Sequence, residues 1–61
     1  MSTQDEHMDE AWAVRNFKKG FSMYLKADLR AKRIPKGWEI YIVGLEEPIG
    51  KVGNDGVPRL F

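Results

Sequence analysis

The chain contains no cysteine and only one histidine, His7, so neither a disulfide nor a typical zinc site can hold its fold together. A domain of 61 residues buries only about 60% of its unfolded surface, which leaves little room for a large internal pocket. We therefore expect a single small domain over residues 1–61. Either a well-packed helix on a sheet or oligomerisation must stabilise it.

The composition is typical of a soluble folded protein, with 43% hydrophobic and 31% charged residues. The opening segment, MSTQDEHMDE, is acidic and has no apolar stretch of the kind found in a secretory signal. No apolar run approaches the length needed to cross a bilayer. These features predict a cytoplasmic protein that does not use a membrane.

The first half of the sequence has the pattern of one long helix. Thr3 and Glu6 have capping-box spacing, and Pro35 with Gly37 provides a stop. Between them, apolar residues recur every four positions and predict an unbroken helix from about residue 4 to about residue 32, namely Phe17, Phe21, Leu25 and Leu29. Gly20 lies inside this pattern. The segment KKGFS therefore also fits a kink, or a helix end with Ser22 as a new cap.

The second half has the pattern of three short strands. We expect them at about residues 38–44, 49–52 and 57–61, separated by turn segments such as GNDG. Pro58 cannot donate a hydrogen bond, so the last strand should lie at a sheet edge. The predicted fold class is therefore α+β, with one long N-terminal helix packed on a three-stranded antiparallel β-meander.

Basic residues are concentrated in one segment, although the net charge of the chain is only +1. Residues 15–36 contain eight bases and a single acid, Asp28. On an unbroken helix five of these bases would share one stripe without matching acids: Arg15, Lys19, Lys26, Arg30 and Arg33. The stripe is either an ordinary solvated helix surface or a surface that binds nucleic-acid phosphates or an acidic protein.

Four apolar or aromatic residues are candidates for a partner interface. On an ideal helix Trp12 and Met23 project near the basic stripe, although Trp12 could instead pack into the core. Tyr41 and Val43 should lie on the strand face opposite Trp38, where a single helix cannot cover them. A homodimer that buries this second face is therefore expected.

No segment predicts catalysis, a metal site, a cofactor or a small-molecule substrate. GLEEPIGKV has the wrong glycine spacing for a phosphate loop, and the acids around His7 have an adequate explanation as residues of a helix start. Ser2 and Ser22 have no recognisable base beside them.

Two hypotheses of function follow from the sequence. The first is a non-enzymatic nucleic-acid-binding or regulatory protein that contacts phosphates through the basic helix stripe. The alternative is a protein-protein interaction module, such as an inhibitor or adaptor, that binds an acidic surface or offers a sheet face or edge.

Overall fold

The computed structural model describes residues 9–61. These residues form one helix and a four-stranded antiparallel sheet, which confirms the α+β class. In chain order the elements are α1 (Glu10–Gly20), a short 3-10 turn (Ser22–Tyr24), β1 (Leu29–Ile34), β2 (Gly37–Ile42), β3 (Gly50–Gly53) and β4 (Pro58–Leu60).

Helix α1 is much shorter than the sequence pattern predicts. It begins after Asp9, whose side chain accepts a hydrogen bond from the backbone amide of Trp12 at 2.8 Å. It ends at Gly20, because the non-helical backbone of Phe21, with φ of −130° and ψ of 82°, turns the chain away. The prediction of an unbroken helix to residue 32 is therefore wrong. The predicted start near residue 4 and the capping box of Thr3 and Glu6 lie outside the described residues.

Gly20 marks the end of α1 because the helix terminus meets β4 there. A methyl group placed on the Gly20 Cα would collide with the side chain of Pro58. Glycine therefore lets the helix end approach Pro58, and the alternative interpretation of KKGFS as a helix end is correct. Its second part is wrong, because Ser22 lies inside the 3-10 turn and makes no capping hydrogen bond.

The main correction to the predicted sheet is a fourth strand at its edge. The strands follow one another as a meander in the order β1-β2-β3-β4, and the predicted strands at 38–44, 49–52 and 57–61 correspond to β2, β3 and β4. Strand β1 covers residues that were predicted to end the helix, and it pairs antiparallel with β2 along its whole length. Pro58 lies in β4, which is an edge strand as predicted.

Helix α1 packs on one face of the sheet and forms the core there. The buried residues are Ala13, Phe17, Leu29, Trp38, Ile40 and Val52. Phe17 reaches the middle of the sheet, where its ring lies over Gly50. In the predicted core row Phe17 and Leu29 are buried and Phe21 packs partly buried against them, but Leu25 is 57% exposed. Leu25 lies after the helix end, so helical periodicity does not apply to it.

Both edges of the sheet have a feature that hinders the addition of another strand. On β1, the side-chain carboxylate of Glu10 accepts a hydrogen bond from the backbone amide of Ala31 at 3.0 Å. On β4, Pro58 has no amide hydrogen to offer. Edge strands that carry such features pair poorly with other chains.

Within residues 9–61, no helix has the length and hydropathy required to cross a membrane.

Candidate nucleic-acid interface

The sheet face that points away from α1 is polar and basic. Successive residues of a strand point to opposite faces, and Trp38, Ile40 and Val52 point towards the helix. Their neighbours therefore form the other face, which no part of residues 9–61 covers. We call it the open sheet face, and it consists of Arg30, Lys32, Ile34, Glu39, Tyr41, Lys51 and Arg59.

Four of these residues form a straight row across the sheet. Lys32 lies directly opposite Glu39, Glu39 opposite Lys51, and Lys51 opposite Arg59. We call this set the cross-strand row. Because neighbouring strands lie about 4.8 Å apart, its two ends are separated by about 14 Å. The row contains three bases and one acid, and all three bases are exposed.

The acid in the row does not form an ion pair with its basic neighbours. The Glu39 carboxylate instead accepts a hydrogen bond from the Tyr41 hydroxyl at 2.9 Å. This bond raises the pKa of Tyr41, because ionisation of the phenol would break it beside a negative charge. Glu39 is thereby held in place on the sheet surface.

The only ion pair within residues 9–61 joins Arg30 to Glu10, with 2.8 Å between Nε and Oε2. It lies at the edge of the sheet, where Glu10 also binds the Ala31 amide. These hydrogen bonds lower the pKa of Glu10, the Ala31 amide first and the Arg30 guanidinium second. Arg30 is thus partly neutralised, whereas Lys32, Lys51 and Arg59 have no ion-pair partner in the described part of the chain.

The open sheet face is concave at the end where two hairpin turns meet. The turn between β1 and β2 and the turn between β3 and β4 flank a depression. Its apolar lining includes Ile34, Pro35 and Val57. Its charged lining consists of three bases and two acids, namely Lys36, Lys51, Arg59, Glu39 and Asp55. The depression therefore combines a recess with a small excess of positive charge, which favours anions over cations.

The predicted basic stripe does not exist, because its five residues lie on different elements. Arg15 and Lys19 are exposed on α1, one turn apart and opposite the buried Phe17. Lys26 lies in the connection that follows the 3-10 turn. Arg30 and Arg33 belong to β1, where alternation places them on opposite faces. The stripe prediction depended on a continuous helix and fails with it.

Arg33 has a structural position at the end of the sheet. Its guanidinium lies 5.3 Å from the centre of the Trp38 ring and donates a hydrogen bond to the Asn54 side chain at 3.1 Å. It thus joins β1 to the turn between β3 and β4 and covers one side of the tryptophan. These contacts engage the charge of Arg33 within the domain.

The predicted interface residues fall into two groups. Trp12 is half-buried against the core, near Gly56, and therefore packs within the domain. Tyr41 is half-exposed on the open sheet face, and Met23 and Val43 are 73% and 56% exposed in connecting segments. The structure does not bring these four residues together in one surface.

Sequence reasoning missed three members of the row, Lys32, Lys51 and Arg59. Lys32 was assigned to a helix, and the other two are separated by seven intervening residues that include a turn. A sequence signal for Lys32 was present, because Leu29 and Ala31 alternate with Arg30 and Lys32 with the period of a strand. No local signal aligns Lys51 with Arg59, because their pairing depends on sheet register.

The chain matches no protein-family model, and no curated protein or solved structure is significantly similar to it. Residues 9–61 contain no group of three or more side chains that could hold a metal ion. His7 and the acids that precede it lie outside the described residues.

Proposed function

We propose that this protein is a non-enzymatic nucleic-acid-binding protein that contacts phosphates through its open sheet face. The observation that carries the proposal is the direct pairing of Lys51 with Arg59. Like charges that face each other across two strands destabilise a sheet. A ligand that offers negative charge or hydrogen-bond acceptors to both bases would offset this repulsion.

The rest of the open sheet face supports the same ligand. Lys32 adds a third base at the far end of the cross-strand row, and Lys36 adds charge at the rim of the depression. Bases at separate points of this face can contact several phosphates at once, and such contacts fix a protein on nucleic acid without reading its sequence. The only acid in the row, Glu39, is engaged by Tyr41.

The proposal has a direct test in a salt titration. Phosphate contacts by the two ends of the row, Lys32 and Arg59, give a slope of about −1.8 in a plot of log binding constant against log salt concentration, and a third contact by Lys51 would bring it to about −2.7. We expect the protein to bind a fluorescent oligonucleotide at roughly 50 mM salt and to lose most of that affinity by roughly 200 mM. An absence of binding to DNA and RNA of either strandedness at the lower salt concentration would refute the proposal.

A second candidate function is binding to another protein, and a separate surface favours it. Strands β2 and β4 run in the same direction, so the segments that follow them lie at one end of the sheet. Three apolar side chains there are more than half exposed: Val43, Leu45 and Phe61. Apolar groups clustered in this way are typical of contact surfaces.

Self-association belongs to this second candidate. Two copies that stacked their open sheet faces would bring like bases together, so we expect any dimer to use the apolar end instead. Light scattering at two protein concentrations tests it. A Val43→Ser, Phe61→Ser variant should stay monomeric if this end joins two copies. If the original protein dimerises and the variant dimerises to the same extent, the apolar end is not the contact between the two copies.

A further inference from the structure

We propose that the nucleic acid bound by the open sheet face is B-form duplex DNA, with the sheet facing its major groove. This inference rests on the proposed function and specifies its ligand. Three features of the cross-strand row favour a duplex groove over a single strand or an RNA duplex: its width, the position of its acid and the scarcity of aromatic residues.

The width of the row matches the groove. Lys32 and Arg59 lie on the two edge strands, about 14 Å apart. The major groove of B-DNA is about 12 Å wide and is bordered by a phosphate backbone on each side. Bases at the two ends of the row can therefore contact phosphates of opposite strands. The major groove of an RNA duplex is deep and too narrow for side chains to read.

The position of Glu39 indicates what faces the middle of the sheet. A carboxylate at the centre of the row would repel a phosphate chain that ran along it. Facing a groove floor, the same carboxylate can accept a hydrogen bond from the amino group of cytosine. Its direct neighbour Lys51 can donate to the acceptors of guanine. The central pair is thus complementary to a G·C base pair.

The aromatic content of the open sheet face points away from single strands. Proteins that bind single-stranded nucleic acid stack successive bases on several aromatic side chains. Tyr41 is the only aromatic residue of this face in residues 9–61. Its hydroxyl group is held by Glu39. One constrained ring does not make a platform for successive bases.

The inference is tested by comparing four fluorescent probes of one G·C-containing sequence at low salt. The probes are a DNA duplex of about 12 base pairs, slightly more than one helical turn, its single strand, the matching RNA duplex, and the DNA duplex with glucosylated 5-hydroxymethylcytosine. The glucose groups fill the major groove and leave every phosphate in place. We expect the plain DNA duplex to bind at least about tenfold more tightly than the other three, as expected for lost base contacts.

The binding results of these probes distinguish a failure of the duplex inference from a failure of the proposed function. Equal, salt-dependent binding to all four probes would overturn the duplex inference and leave the proposed function standing. Binding to none of them would overturn the proposed function itself. Preference for the single strand would contradict the inference in the same way as equal binding.

The variant Glu39→Gln provides a second readout that does not depend on the probes' overall affinity. Against a groove floor, we expect the variant to bind the plain duplex more weakly, because a neutral amide oxygen is a weaker acceptor for the cytosine amino group than a carboxylate. The difference between the plain and the glucosylated duplex should then become smaller. If Glu39 instead faced phosphates, removal of its charge would raise affinity for all four probes alike, and that result would overturn the inference. Far-ultraviolet circular dichroism of the variant checks that the fold is retained.

Discussion

Lys51 and Arg59 lie directly opposite each other on neighbouring strands, with both side chains on the uncovered face of the sheet. Glu39 faces Lys51 from the other side, but its carboxylate is bound to Tyr41. Neither base forms an ion pair in the described residues, so the charge of Glu39 offsets their mutual repulsion only in part. The packing of the core does not require bases at these two positions, and their repulsion is unfavourable for folding.

The first prediction follows from that repulsion. The variant Arg59→Gln should be more stable than the unchanged protein by about 0.5 kcal/mol or less at low salt, because it removes the like-charge pair and leaves Lys51 opposite Glu39. It should also bind DNA more weakly. Urea unfolding measures the first effect and fluorescence anisotropy the second. At high salt the stability gain should vanish, since salt screens exposed charges. A variant that lost stability at low salt would contradict this account of the pair.

The second prediction concerns the ends of the cross-strand row. Lys32→Gln and Arg59→Gln should each reduce the magnitude of the salt slope by about 0.9, the contribution of one phosphate contact. The matched control is Lys19→Gln, which removes one positive charge from the exposed surface of α1, away from the open sheet face. It should leave the slope unchanged. If the salt slope fell by the same amount in all three variants, binding would depend only on the net charge of the protein.

The third prediction concerns the approach of α1 to the sheet. A methyl group on Gly50 would lie 2.6 Å from Cε1 of Phe17 and would also collide with the backbone oxygen of Arg59. Gly50→Ala should therefore cost about 1–3 kcal/mol, as overpacked cores do. A domain of this size has only about 3–5 kcal/mol in total. We expect thermal unfolding, followed by circular dichroism, to shift far downwards.

Gly44→Ala is the control for this substitution. Gly44 has open space around it but a φ of 98°, so alanine there meets backbone strain and no collision. It should cost about 1 kcal/mol. A loss from Gly50→Ala no larger than the loss from Gly44→Ala would show that the contact between Phe17 and Gly50 is not tight.

The fourth prediction concerns acid stability and Glu10. Its pKa is lowered in the folded state, so its contribution to stability is complete above the ordinary value of 4.5 and is lost as the pH falls through the folded-state pKa. Glu10→Gln should therefore flatten the acid limb of the stability curve. The effect should be small because the pair with Arg30 is largely exposed. Urea midpoints measured on both sides of the ordinary pKa give the comparison.

Glu46→Gln is the matched control, because Glu46 is exposed in the connection between β2 and β3. It should keep the acid limb of the unchanged protein. If Glu10→Gln and Glu46→Gln gave the same curve, the contact of Glu10 with the edge of β1 would contribute nothing measurable.

The sequence predicted the later part of the fold well, because its signals there are local. Alternating apolar residues and turn segments located β2, β3 and β4, and the missing amide hydrogen of Pro58 identified an edge strand. Strand β1 was missed for a physical reason. Its sequence, LRAKRI, consists largely of good helix formers, and pairing with β2 outweighs that preference.

The candidate site was harder to predict than the fold, because it exists only in the sheet register. Arg30 was identified for the wrong reason, as part of a helical stripe, and the structure places it on the open sheet face. Lys32, Lys51 and Arg59 come from three strands and meet only after those strands align. A shift of register by one residue would turn each of them to the other face.

The most direct test of the central claim compares two triple variants with equal loss of charge. The first replaces Lys32, Lys51 and Arg59 of the cross-strand row by glutamine, and the second replaces Arg15, Lys19 and Lys26 of the predicted stripe. Each is measured by fluorescence anisotropy with one DNA duplex at roughly 50 mM salt. We predict that the first variant loses binding and that the second binds like the unchanged protein. Retained binding in the first variant, or equal loss in both, would contradict the assignment of the open sheet face as the nucleic-acid interface.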